Sequence, residues 1–328
     1  MKERDATMTM YDLLSEKKPN VFNEKGMLYH YTSIGTLEKF FADNGDFYCT
    51  DFRVLNDSSE MMVGMGMALK YLQSEFKWSE MKCAWFRENY KVLVGGGEIV
   101  TPWVMSFSAE KDSLNQWGMY TKRESGGVAV GFDVGQLANA IDRWPGCYSK
   151  DAIPQDGEKG NERKFELLLL PCLYAVTDEK VINGLFDVRL KPHADVFGRI
   201  GEASVAQEIS SDDFTRAIIS ILEISAIIKH EAFRNEKEVR LVLLPMTKSL
   251  VDCELIGGKP RWKTYVAETR KEGYGNPKRK PLRGMIKEVI ISPHGDTDML
   301  WTTVRFLLDK YEMSWCALEK STLPYNAR

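Results

Sequence analysis

Three segments of the chain concentrate side chains able to do chemistry. Residues 28–33 read LYHYTS, residues 106–120 read SFSAEKDSLNQWGMY, and residues 229–242 read KHEAFRNEKEVRLV. The imidazole of His30 and the hydroxyls of Thr32, Ser106 and Ser108 can orient a polar ligand by hydrogen bonds without acting as nucleophiles. Fixed carboxylates such as Glu236 and Glu238 stabilise positive charge that builds on a reacting centre. In an extended chain Ser106 and Ser108 share a face, and so do Glu236 and Glu238. With Asp112 capping the turn ahead of them, Gln116 and Tyr120 fall one helical turn apart on one side. Each group also has a plainer use. His30 can be a hydrogen-bonded structural histidine, the serines can cap the following turn, and Trp117 can anchor that turn in the core. Carboxylates beside Arg234 and Arg240 can form exposed ion pairs, which contribute little to stability.

Other chemistries fit less well. There is no Gly-x-Ser-x-Gly elbow, and four histidines leave few bases for a serine hydrolase. The six cysteines lie far apart, with no CxxC pair, so the pattern reads as reduced structural thiols and no metal is expected. Gly95-Gly96-Gly97 lacks the Lys-Ser/Thr of a phosphate loop and reads as a chain-breaking turn. His294, in Ser-Pro-His-Gly-Asp, reads as a turn residue.

These side chains need a scaffold, and the patterning supplies one. Residues 27–32 predict a strand, and Ser33 caps a helix with Ile34, Leu37, Phe40 and Phe41 on one face. A turn at Asn44-Gly45 leads to a strand at 46–50. Asp57 and Glu60 form a capping box for a methionine-rich helix at 58–76, and a second helix follows at 80–90. Strands are expected at 103–108 and 127–132 around a helical turn at 113–120. The apolar run 165–176 reads as a central strand, and a helical stripe runs from 214 to 230. Strands at 238–244, 262–266, 286–292 and 314–318 and a helix at 296–311 complete the chain. The expected fold is α+β: a mixed, mainly antiparallel sheet with packed helices, in one domain over 27–320. A polar lead-in at 1–26, inserted loops at 145–163 and 257–283, and a tail at 321–328 surround it.

The bulk properties set limits. With 328 residues, 44% hydrophobic and 28% charged, the chain has the composition of a folded globule. A net charge of -3 argues against coating nucleic acid or an anionic membrane by bulk electrostatics. No apolar stretch has the length of a signal peptide core or a membrane span, so a cytoplasmic protein without a membrane partner is expected.

The motifs LYHYTS (28–33), LNDSSE (55–60), SFS-x-x-x-DSL-x-QW-x-x-Y (106–120), E-x-E-x-R (236–240) and IKEVIISPHGD (286–296) resemble, in that order, a widespread bacterial family of unknown function. A looser resemblance is to ADP-ribosyltransferases, in order and residue type: His30 with Thr32, then Ser106-Phe107-Ser108, then Glu236-Lys237-Glu238. That resemblance implies an ADP-ribosyltransferase-like core and an enzyme that takes NAD as substrate. Glu238 would stabilise the ribosyl transition state and Glu236 would orient the acceptor. His30, Thr32, Ser106, Ser108 and Gln116 would hold the dinucleotide while Tyr31 or Tyr120 stacks on nicotinamide. It further implies a protein or nucleic-acid acceptor, a role as a toxin or phage-defence effector, and an antitoxin or regulatory partner. A noncatalytic module binding a nucleotide or a partner protein is the alternative on the same residues, and a structural scaffold a third.

Overall fold

A computed structural model describes residues 26–42, 47–55, 60–95, 101–137, 165–200, 211–245, 253–256, 258–264, 267–268, 278–279 and 282–324. The lead-in before residue 26, the Asn44-Gly45 turn, Asp57 of the expected capping box and the loop at 145–163 lie outside these residues.

The chain begins with β1 (Met27–Thr32), whose alternation sends Leu28 to one face and Tyr29 and Tyr31 to the other. Ser33 caps α1 (Ile34–Phe41), its hydroxyl accepting from the Thr36 amide, and the helix buries Leu37, Phe40 and Phe41. Then come β2 (Phe47–Asp51), α2 (Glu60–Phe76) and α3 (Glu80–Gly95). Gly95 is the last helical residue of α3, which runs past the expected end at 90. Next are β3 (Trp103–Ser108), α4 (Leu114–Tyr120) and β4 (Val128–Asp133). The middle of the chain holds β5 (Phe165–Pro171), β6 (Leu173–Tyr174), α5 (Glu179–Leu190), α6 (Ala194–Arg199), α7 (Ser211–Ser225) and β7 (Ile228–Lys229). A 3-10 turn at Glu231–Glu236 leads into β8 (Glu238–Pro245), followed by β9 (Cys253–Ile256), β10 (Lys259–Thr264), β11 (Ala267–Glu268) and β12 (Lys278–Arg279). The chain closes with β13 (Ile286–Ile291), α8 (Thr297–Lys310), capped by Asp296, and β14 (Ala317–Lys320).

Ten strands form one mixed sheet in the order β14-β13-β4-β1-β3-β2-β10-β9, with β8 also on β3 and β5 on β8. All its pairings are antiparallel except β13 with β14. The fold is therefore α+β, as patterned. One face is covered by α1 and α8 over a core that includes Phe40, Phe107, Phe132 and Leu241. The other carries α2, α3, α5, α6 and α7 over a second core that includes Val104, Leu222 and Val242.

The strands expected at 262–266 and 314–318 lie instead at Lys259–Thr264 and Ala317–Lys320, and two expected elements differ in kind. The run 165–176 is not a central strand: β5 pairs with β8 alone among the described residues. Pro171, with no N–H to donate, turns its nitrogen to the edge of β5 that has no partner among the described residues; the Cys172 amide still donates to the Glu238 carbonyl, and β6 then turns aside to pair with β7. The helix expected through His230 stops at Ser225. After it, the β-branched pair Ile227-Ile228 favours extended chain, which places Lys229 on a strand.

Candidate functional site: a fork in the sheet

β8 pairs with one edge of β3 along its whole length, from Trp103 opposite Leu243 to Ser108 opposite Glu238. β1 and β2 must therefore share the other edge. β1 meets it at Ser108 and β2 at Trp103 and Val104, so the sheet forks at residues 105–107. In the fork a side chain takes the place of a strand. Nδ1 of His30 lies 2.8 Å from the carbonyl oxygen of Ser106. A carbonyl only accepts, so Nδ1 carries the proton. Burial, opposed by the Ser106 bond and aided by Arg261, lowers the imidazole pKa to about 4. The ring is then neutral and its Nε2 an acceptor. Edge-on contacts to Phe40 and Phe107, at 5.7 and 5.9 Å, fix its plane.

A cavity of about 290 Å³ opens at this fork. Its floor is β1, β3 and Thr50 of β2; its walls are α4, the 3-10 turn, Lys229, Glu238 and Arg240 and, on β10, Lys259 and Arg261. Eight of the nine expected residues line it: His30, Tyr31, Thr32, Ser106, Gln116, Tyr120, Glu236 and Glu238. Ser108 does not. Its hydroxyl donates to the Glu236 carbonyl (2.7 Å) and accepts from the Glu110 amide (3.0 Å), so it shapes the turn that carries Glu236.

The two tyrosines expected to stack are not equivalent. Tyr31 is 5% exposed and packs edge-on against Trp117, and its hydroxyl donates to the Glu110 carbonyl while accepting from the Ser113 amide. The hydroxyl of Tyr120 makes no hydrogen bond to a described residue. Burial, reinforced by Glu238 and Glu236, raises its pKa and keeps it protonated. Gln116, one turn earlier, is 5% exposed, and its amide likewise has no hydrogen-bond partner among the described residues. A buried primary amide on a cavity wall is a donor and acceptor set ready for a ligand.

Glu236 and Glu238 do not share a strand face as expected. Glu236 ends the 3-10 turn, and Lys237 takes a left-handed φ of 43°, which folds the turn back onto β8. Their carboxylates converge all the same on the ammonium of Lys229, at 2.7 and 2.5 Å. The Nε of Arg240 donates to the other oxygen of Glu238 at 2.7 Å, and its Nη1 donates to the Ala226 carbonyl. All four side chains are buried, so the exposed ion pairs that the plainer reading allowed are absent from this group; Arg234 pairs with Glu231 instead. Burial alone would raise the Glu238 pKa, but Arg240 and Lys229 outweigh it and hold the carboxyl below the usual range, ionised. The same face of β8 continues as Val242 and Leu244 into the second core. The cavity begins where that face turns polar.

Asp112 does not cap α4, since Ser113 occupies the N-cap position. Its carboxylate accepts from the Trp117 indole, the Ser321 hydroxyl and the Thr322 amide, tying the start of the expected tail to the α4 wall. Arg53 pairs with Asp51, and His294 bonds the hydroxyl of Thr121 at the end of α4.

Lys259, Arg261 and Phe233 were not anticipated as site residues. The only sequence signal for the first two is alternation, since Lys259 and Arg261 share a face of β10. No group of three or more metal-binding side chains occurs among the described residues, nor any helix long and apolar enough to cross a membrane. No protein-family model, curated protein or solved structure matches the chain.

Proposed function

We propose that the protein is a cytoplasmic, NAD-dependent ADP-ribosyltransferase-like enzyme acting on a protein or nucleic-acid acceptor, in a toxin or phage-defence role. One observation carries the reading. His30, Ser106 and Glu238 come from distant parts of the chain, yet they stand on three neighbouring strands and line one cavity. In this reading the bond between nicotinamide and ribose breaks and its electron pair leaves with the nicotinamide nitrogen. Positive charge then builds on the ribose. Glu238, ionised and held rigidly by Lys229 and Arg240, stabilises that charge without having to reorganise. Neutral His30 and Ser106 position the ribose, Gln116 and Tyr120 hold the departing base, and Glu236 orients the acceptor.

A second reading, a noncatalytic module that binds a nucleotide or a partner protein, is favoured by the fact that both oxygens of Glu238 already accept from cations. Nicotinamide release from NAD, measured with and without cell extract, separates the two. Glu238→Gln is the appropriate control. Alanine there would take from buried Lys229 and Arg240 the carboxylate they share, at a cost of about 3–5 kcal/mol. The enzyme reading expects release by the wild type and a loss of at least about a hundredfold in the variant, the scale of removing one transition-state contact. Absence of release from folded wild-type protein under either condition leaves the binding module.

A further inference from the structure

We infer that the β10 wall of the cavity is an anion site that holds a phosphate or diphosphate group of the ligand. The inference names the anionic part of the ligand proposed above, and rests on that reading only for what lies at the other end. The lining side chains include four cations, Lys229, Arg240, Lys259 and Arg261, against two carboxylates, Glu236 and Glu238. In the buried cluster Glu236 is joined to Lys229, and Glu238 to both Lys229 and Arg240. Arg261 stands apart from that cluster. It lies opposite Thr50, which lies opposite Val104, on the cavity side of the sheet. Its Nε is buried with no hydrogen-bond partner among the described residues. A buried guanidinium donor left unbonded is costly, and an oxyanion is what it is shaped to receive. Lys259, two residues earlier on the same face, lines the same wall.

The placement also fits an extended ligand. Arg261 and Glu238 are three strand spacings apart across the sheet and four residues apart along it, roughly 20 Å between Cα atoms. Both side chains reach into the cavity from opposite ends of that span. Ser106 lies between them, and because its carbonyl points into the fork, its N–H points there too. A sugar bound beside Glu238 thus places its phosphate toward Arg261.

Calorimetric titration of the full chain with ADP and with adenosine tests the site, using wild type, Arg261→Gln and Lys259→Gln, with circular dichroism to check folding. ADP is expected to bind wild type at least about tenfold more tightly than adenosine, and Arg261→Gln to remove that advantage, as loss of a charge-assisted hydrogen bond does. Should Arg261→Gln not fold, Lys259→Gln must itself weaken ADP severalfold. Equal affinity for ADP and adenosine, no ADP binding to wild type, or ADP affinity unchanged in the folded variants would each overturn the inference. The two proposals fail separately. Arg261-dependent ADP binding without nicotinamide release retires the enzyme reading alone. Nicotinamide release with unchanged ADP affinity and NAD KM in Arg261→Gln retires the anion site alone.

Discussion

His30 illustrates how much of the site a single residue carries. Its donated proton satisfies a β3 carbonyl in the fork, and the same bond leaves the opposite nitrogen as an acceptor. The folded ring has a pKa of about 4 against an ordinary value of 6.5. Below pH 6.5 the unfolded chain therefore takes up a proton that the native ring refuses. The contribution of His30 to stability is complete above pH 6.5 and erodes as pH falls toward 4, by on the order of 1–3 kcal/mol. His30→Asn keeps a donor for Ser106 and removes the titration. Urea midpoints between pH 4.5 and 8 should fall more steeply for wild type than for this variant, and parallel curves would refute the assignment. His30, Ser106 and Glu238 were legible in the sequence because residue type and strand alternation are local properties. Lys229 was hidden by an apolar run that reads as helix, and Arg261 by a fork that exists only once distant strands pair.

At the scale of elements, close helix packing decides what the methionine-rich segment does. A Cβ built on Gly64 of α2 would stand 2.5 Å from the Cβ of Ser225 at the end of α7, whereas one on Gly66 would meet nothing within 4 Å. Gly64→Ala must push the two helices apart and should destabilise the protein by about 1–3 kcal/mol. Gly66→Ala should stabilise it, by up to about 1 kcal/mol, through helix propensity. Thermal melts of the pair read this contrast, and a Gly64→Ala protein as stable as wild type would show that the contact is looser than described. The sequence pointed to a helix here and to methionines as filling; Met65 is buried, Met67 is partly buried and Met62 is exposed. Which glycine faces a partner depends on where α7 lies, and helical periodicity does not encode that. Pro171 shows the opposite case: its missing N–H was a local sign that β5 is an edge strand, in a run whose hydrophobicity masked it.

For the whole molecule, the organising feature is that one edge of β3 serves two strands. On one branch lie β1, β4, β13 and β14, on the other β2, β10 and β9. The branches are joined through β3, with separate hydrophobic cores above and below the sheet. Across the opening between them there is no ladder of backbone bonds among the described residues. A molecule that met both His30 on β1 and Arg261 on β10 would act as a rivet through this seam and set its width. Deuterium uptake makes that visible. With NAD bound, amide exchange in β2 and β10 should slow, while β13, on the far side of its own branch, should exchange as before. Uniform slowing across the sheet, or none at the seam, would mean that the branches are held at their spacing by the protein alone.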